Sequence, residues 1–331
     1  MAESALGVDG YQRYQKETTY GTGVVSSMID LPVKNNSLMK AMVENIENQN
    51  LLASRLKQAP NSGRVVVNGE VSMDLAPTLL GDLLEIFLGG ATSSGPTDTA
   101  AYTHYWLSPD SGERIAESMT FQQAVGADTA VTFDGVKIVG MTLSGAVGEN
   151  VLITFEVVGQ GYTEDVARVS SWSYPTTIPF SFITCSLTEA SAGAISMNSF
   201  SATIDLGYEK ERFKLGSAEL VNPVFTTIPT CTFSCNIDAD EQWVENARDH
   251  TALDLTLTLT HATTIPSASS TKYTLILEMP GCRLAPETAI ENSSERLSMD
   301  LEFEAGYGGS TTNGTDKMFE ISLIDGDATH T

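Results

Sequence analysis

At 331 residues, 41% of them apolar, the chain is long enough for two domains of ordinary size. Its 42 Asp and Glu against 18 Lys and Arg leave a formal charge of −24, spread evenly: residues 1–175 carry 20 acids and 10 bases, residues 176–331 carry 22 and 8. A surface this negative repels phosphate backbones and anionic head groups, which argues against gripping nucleic acid or docking on a membrane.

Met1–Gly10 is acidic and lacks a basic segment followed by an apolar stretch, so no secretory signal and no export by that route are expected. In Ser37–Lys57 the apolar positions Met39, Met42, Val43 and Ile46 fit a helix as well as a strand. Val71, Met73 and Leu75 alternate with polar residues, which predicts a strand. Pro77–Leu88 carries Leu80, Leu83, Leu84, Phe87 and Leu88 at helical spacing and stops at Gly89-Gly90, which predicts a short helix. The most apolar window, Leu75–Ala91, is broken by Asp82 and Glu85 and is too short for a membrane span. Gly89–Ala101 reads as a Gly/Ser/Thr-rich loop. Asp134-Gly135, between Val131, Phe133 and Val136, Ile138, predicts a hairpin turn, since both residues tolerate positive φ.

Period two continues through Ile153, Phe155, Val157 and, after a Pro/Ser/Tyr-rich stretch at Ser170–Pro179, through Phe200, Ala202, Ile204, Leu206. Asp238–Arg248 opens with acids suited to a helix N-terminus and places Trp243, Val244 and Ala247 on one face. Four more strands follow: Leu253–Leu259, Tyr273–Met279, Leu297–Phe303 and Phe319–Leu323. Cys185, Cys231, Cys235 and Cys282 do not make a disulfide framework, and Cys231 and Cys235 lack the spacing of a zinc or redox pair, so they read as reduced packing residues.

The chain also resembles itself. Residue 36 laid on residue 198 pairs Leu38 with Phe200, Met42 with Ile204, and Val71, Met73, Leu75 with Phe233, Cys235, Ile237; both segments then run into the two helices. Further on, Phe155 falls on Phe303, with the loop at Gly89–Ala101 accounting for the changed offset. A diverged tandem duplication follows, with halves at 1–175 and 176–331. By this register Leu38–Ile46 is a strand.

Catalytic patterns are scarce. No HExxH, Walker A, GxSxG or GxGxxG surrounds His104, His250, His261 or His330. His250 and His261 flank a strand too far apart to share a metal. Ser54–Lys57 and Ser269–Lys272 match SxxK without the companion motifs, and Asp238, Asp240 and Glu241 read as helix-capping acids rather than a calcium loop. No catalytic residue, cofactor or metal ligand is expected, and aromatic residues are not interleaved with bases as in single-strand binders. An acidic β protein without evident chemistry suits a structural part.

The segment KETTYGTG (Lys16–Gly23) resembles the E-x-x-YGT opening of the major tail tube proteins of long, flexible-tailed bacteriophages. NSLMKAMVENIENQNLLASR (Asn36–Arg55), GRVVVNGEVSMDLAP (Gly63–Pro77) and LLGDLLEIFLGG (Leu79–Gly90) follow in that family's order. The resemblance implies a mainly β chain of tandem β-sandwich or barrel-like tube domains, each with one short helix. It implies self-assembly into stacked rings round a DNA channel, without specific DNA binding. Two tube domains per chain favour a trimer with pseudo-sixfold symmetry over a hexamer. Tape-measure, terminator and tip proteins are the implied partners, and the phage tail, built from chains made in the host cytoplasm, the implied location.

Asp300, Glu302 and Glu304 share one face of a strand and are the expected lumen-facing acids, although a solvated outer face accounts for them equally simply. Gly10–Leu31, with Tyr20, Gly21 and Thr22, is the expected assembly arm, together with the loops Glu47–Ser62 and Gly207–Pro223; Tyr20 suits either a neighbour's pocket or its own subunit. The competing classes are a surface-binding β-sandwich, such as an adhesin or carbohydrate-binding module, and a hydrolase using His250 or His261.

Overall fold

A computed structural model describes residues 10–34, 38–48, 59–109, 117–124, 129–174, 178–285 and 298–330. Strands β1 (Tyr11–Lys16), β2 (Ile29–Leu31), β3 (Leu38–Ile46) and β4 (Asn61–Asp74) lead into helix α1 (Pro77–Leu88). Then come β5 (Thr92–Asp98), β6 (Ala101–Leu107), β7 (Met119–Ala124), β8 (Thr129–Ala146), β9 (Leu152–Gly159) and β10 (Gly161–Ala167). The second half contains β11 (Cys185–Glu189), β12 (Gly193–Ile195), β13 (Met197–Asp205), β14 (Thr230–Asp238), α2 (Glu241–Arg248), β15 (Leu253–Thr264) and β16 (Lys272–Leu284). It ends with β17 (Ser298–Glu304), the small hairpin of β18 (Gly309–Ser310) and β19 (Thr315–Lys317), and β20 (Glu320–Asp325). The fold is mainly β, and the strand pairings are antiparallel.

Three connected sheets result. Sheet I runs β2-β1-β7-β8-β10. Sheet II runs β3-β4-β9-β8-β13-β14-β17-β16. Sheet III runs β12-β11-β15-β16-β20-β6-β5. The two halves are wired alike. In sheet II, β3-β4-β9-β8 is followed by β13-β14-β17-β16 in the same order, and sheets I and III match strand for strand except that the β5–β6 hairpin is added to β20. Val71 lies opposite Phe155, which lies opposite Met141; Phe233 lies opposite Phe303, which lies opposite Leu284. The internal alignment superposes Val71 on Phe233 and Phe155 on Phe303; Met141 and Leu284 are matched by the sheet alone.

Strands β8 and β16 each serve two sheets. Residues Thr129–Val136 of β8 pair in sheet I, and Lys137–Ala146 pair in sheet II. Gly135, at φ +62°, lies at the change of sheet, where β7 shifts register between Met119 and Phe121. The hairpin expected at Asp134-Gly135 is therefore a bulge inside one 18-residue strand: the positive φ is used to bend the strand into a second sheet rather than to reverse it. Gly281, at φ +65°, holds the corresponding place in β16.

Two further expectations change. The stretch read as a loop at Gly89–Ala101 contains β5, whose residues are nearly all exposed because it pairs only with β6 at a sheet edge, so no alternation marks it. The second helix begins at Glu241 rather than Asp238, because Asp238 ends β14 and Asp240 caps the helix by accepting a 3.0 Å bond from the Gln242 amide. Helix α1 has the expected bounds and buries nine of its twelve residues. One continuous apolar core runs through both halves. Phe87 of α1 meets Phe155 at 6.4 Å, and Trp243 of α2 meets Phe303 edge-on at 6.1 Å, so each helix packs on the same strand of its own four-strand unit. The boundary between residues 175 and 176 lies outside the described residues.

Candidate functional site

The outer face of sheet II carries an ordered array of polar side chains. In β17 the burial alternates residue by residue, with Met299, Leu301 and Phe303 turned to the core and Asp300, Glu302 and Glu304 to solvent. The antiparallel ladders extend each acid into a row across the sheet. Glu304 stands opposite Thr232, followed by Thr203, Thr142 and Thr154. Glu302 stands opposite Ser234, followed by Ser201, Ser144, Leu152 and Asp74. Asp300 stands opposite Asn236, followed by Ser199 and Ala146. A fourth row joins Glu70, Glu156, Gly140 and Asp205. Four acids unmarked by the sequence reading thus share the face with the three expected ones.

The rows are tied together by short polar side chains. Thr142 and Thr203 hydroxyls are 3.3 Å apart, and Asn236 donates to Asp300 at 2.7 Å while accepting from Asn198 at 3.0 Å. Bases on the face are held by carboxylates: Lys34 lies 2.9 Å from Asp74, and Lys210 lies 2.7 Å from Glu156 and 3.4 Å from Asp205. The hydrogen bonds and charges of its two acids hold the Lys210 ammonium above its ordinary value, against the opposing effect of burial. Asp300, Glu302 and Glu304 are not neutralised in this way by a neighbouring lysine in β13 or β14; Arg283 stands opposite Glu304 at the edge of the sheet. Such a surface offers hydrogen-bond acceptors and negative charge, which turns away a polyanion at close range.

The arm is built around Glu17. Its buried carboxylate accepts from the Gly21 amide (3.0 Å), the Ser118 hydroxyl (2.7 Å), the Thr120 hydroxyl (3.0 Å) and the Gly135 amide (2.9 Å). The motif E-x-x-YGT thus holds the arm to the bulge of β8. Tyr20 packs beside Gly135 of β8, where a Cβ would come within 3.1 Å of its ring, and burial together with the Glu17 and Glu219 charges pushes its phenol well up. Gly21 takes φ +70° and passes so close to Gln160 that a Cβ would fall 1.7 Å from the amide oxygen. Thr22 is exposed. Of the two expected assembly loops, 49–58 lies outside the described residues, while the segment between β13 and β14 covers the end of sheet II, with Tyr208 over Lys137 at 5.3 Å.

The remaining residues singled out from sequence find structural partners. His261 is buried, within 2.6 Å of the Ile178 carbonyl, and accepts from the Thr263 amide at 3.0 Å, while His250 follows α2 on the exposed surface. Of the two SxxK matches, Ser54–Lys57 lies outside the described residues; in the other, the amides of Ser269, Ser270 and Thr271 and the Thr271 hydroxyl all donate to Asp98, which holds its carboxyl well below the usual range. The four cysteines are free thiols, and burial pushes them up, Cys185 to about 11 and Cys235 and Cys282 to about 12, so they stay protonated and unreactive at neutral pH. Among the described residues, His104, Asp325 and His330 form the one cluster with the donor spacing of a metal site, away from the acidic face. No helix among them is long and apolar enough to cross a membrane.

A family model described as phage tail tube protein matches residues 7–315. Comparison with curated proteins gives no match.

Proposed function

We propose, because this chain belongs to the phage tail tube protein family, that it forms stacked rings whose channel is walled by the outer face of sheet II. The genome passes through this channel into a bacterial host. The family places the protein in the virion tail as a structural component and points away from an enzyme. The observation that carries the lumen assignment is the face itself: rows of Ser, Thr and Asn that end in Asp300, Glu302 and Glu304 and continue through Glu70, Asp74, Glu156 and Asp205. Duplex DNA carries one charge per ~1.7 Å of axis, and the Debye length is about 8 Å at physiological salt, so only acids on the wall act on it. A wall of this composition keeps DNA moving without holding it.

The matching order of strands supports reading residues 1–175 and 176–331 as two copies of one tube unit, and three chains as one pseudo-sixfold ring. Within the chain, β8 of the first unit pairs with β13, the counterpart of β3. Repeating that step between chains sets β3 of one subunit against the β16 edge of the next. Exposed Met42 and Ile46 on β3 would then be covered, and the unpaired sheet edge disposed of. Three chains of −24 bring −72 to each ring. Image reconstruction of the tube, or mass measurement of a released ring, is expected to count three chains; six would overturn this arrangement. The tape-measure protein inside, a terminator at one end and tip proteins at the other are the proposed tail partners.

The lumen assignment is tested by Asp300→Asn, Glu302→Gln and Glu304→Gln together. All three side chains are exposed, so tubes are expected to assemble with unchanged dimensions while genome ejection slows. Ejection at the original rate from such tails would refute the assignment.

A further inference from the structure

We infer that His104, Asp325 and His330 bind a divalent transition-metal ion, Zn(II) by the character of the donor set, and that this ion pins the β5–β6 hairpin and α1 to the segment after β20. The site lies away from the acidic face and stands independently of the tube reading.

The geometry has the features of a ligand set. His104 is fully buried, Asp325 is 2% exposed, and the His330 side chain is 4% exposed. His104 Nε2 lies 3.2 Å from Asp325 Oδ1, and His330 Nε2 lies 3.0 Å from Asp325 Oδ2. The three donor atoms all lie within 4.8 Å of one another. Bonds of about 2.1 Å to a tetrahedral zinc ion separate its ligand atoms by about 3.4 Å, close to the distances from the Asp325 carboxylate to each histidine. The Asp327 carbonyl oxygen, which accepts from His104 Nε2 at 2.8 Å, would become a further oxygen ligand once an ion replaces that proton.

Two observations point to an ion rather than to a simple ion pair. First, His330 Nε2 and Asp325 Oδ2 are close but not aligned for a hydrogen bond, and both are buried without any hydrogen-bond partner. Buried polar atoms of this kind call for a specific cause, and a shared cation supplies one. Second, each imidazole is held from behind through its other nitrogen. His104 Nδ1 lies 2.7 Å from Ser93 Oγ, and His330 Nδ1 lies 3.2 Å from Asp82 Oδ1. Asp82, which can only accept, fixes a proton on His330 Nδ1, and the Ser93 hydroxyl can accept one from His104 Nδ1, so that an ion would take each Nε2 in place of the proton that His104 shares with the Asp327 carbonyl, the arrangement that orients metal-binding histidines. The backbone makes room for it: at Gly81 of α1 a Cβ would fall 2.1 Å from the His330 ring.

The placement gives the ion a structural task. His104 is in β6, part of the hairpin that the first half adds to the sheet of the second, and it stands opposite Leu323 of β20. Asp82 is in α1. A metal here joins both halves at a point where β6 and β20 meet.

The test uses the purified chain stripped with a chelator and titrated with Zn(II) by calorimetry, and with Co(II) followed by its visible absorption. One ion per chain is expected, with a rise in the thermal midpoint on adding Zn(II) and a Co(II) spectrum of tetrahedral type. Asp82→Asn, at a partly exposed helix position, is expected to weaken zinc binding roughly 10–100-fold while leaving the circular dichroism unchanged. His330→Gln is expected to abolish uptake. Failure of the wild-type chain to take up either ion, or uptake unchanged in both variants, would show a buried His–Asp cluster without a metal and overturn the proposal.

Discussion

Glu17→Ala is expected to lower the folding stability by about 3–5 kcal/mol. The carboxylate accepts from two backbone amides and two hydroxyls, and its removal leaves those donors in a site from which water is largely excluded. Each buried donor stripped of its acceptor costs about 1–3 kcal/mol, with partial rehydration keeping the total below the simple sum. Glu17→Gln keeps one acceptor oxygen but turns an amide NH2 toward donors, so it is expected to fall between the two. Urea denaturation of the purified chain measures both. A Glu17→Ala chain within about 1 kcal/mol of the original would mean that the donors find other partners, and that the motif does not hold the arm to the bulge of β8.

The second large effect is expected at Phe155 and Phe303, with a loss of about 3–5 kcal/mol for each change to alanine. Phe155 is 1% exposed and meets Phe87; Phe303 is fully buried between Phe233, at 6.2 Å, and Trp243. Both rings sit on the core side of strands whose other side carries acids, Glu156 in one and Glu302 and Glu304 in the other, so a cavity behind either strand loosens the acidic face in front of it. The two positions are equivalent in the proposed duplication, and losses of similar size are expected from denaturation of the two variants. A large loss at one with less than about 1 kcal/mol at the other would break the energetic equivalence even though the strand order is shared.

How far the sequence discloses the fold depends on whether a signal is local. Alternation in β15 and β17 and the leucine spacing of α1 are local, and they give strand, face and helix bounds directly. The equivalence of Val71 with Phe233 and of Phe155 with Phe303 is also read from the internal alignment, whereas the pairing of Val71 with Phe155 and of Phe233 with Phe303 comes only from the sheet. Asp134-Gly135 shows the limit: composition reveals that φ turns positive, but whether the chain reverses or bends into another sheet depends on β7 and β10, strands that lie elsewhere in the chain. Strand β5 has no apolar alternation because neither of its faces is buried. Asp300, Glu302 and Glu304 are legible from their own strand, whereas Glu70, Asp74, Glu156 and Asp205 join them only through ladder registers. His104 and His330 are far apart in the chain, and nothing near either of them foretells that their rings meet edge-on with Asp325 against both Nε2 atoms.

The pairing of β8 with β13, from Gly140 opposite Asp205 to Ala146 opposite Ser199, also bears on how a ring would come together. In a ring of three chains, three of the six seams between tube units form within a chain and three between chains. A seam between chains costs about 4–15 kcal/mol in lost translational and rotational freedom, whereas one within a chain costs only the closure of a loop, which grows by roughly 0.6 kcal/mol per doubling of its length. A ring of three two-unit chains would thus need two bimolecular associations where six separate units need five, and would nucleate at lower subunit concentration. Because the two kinds of seam are encoded by different residues, each is free to diverge, so a pore of nearly sixfold shape can present threefold contacts to the proteins above and below it.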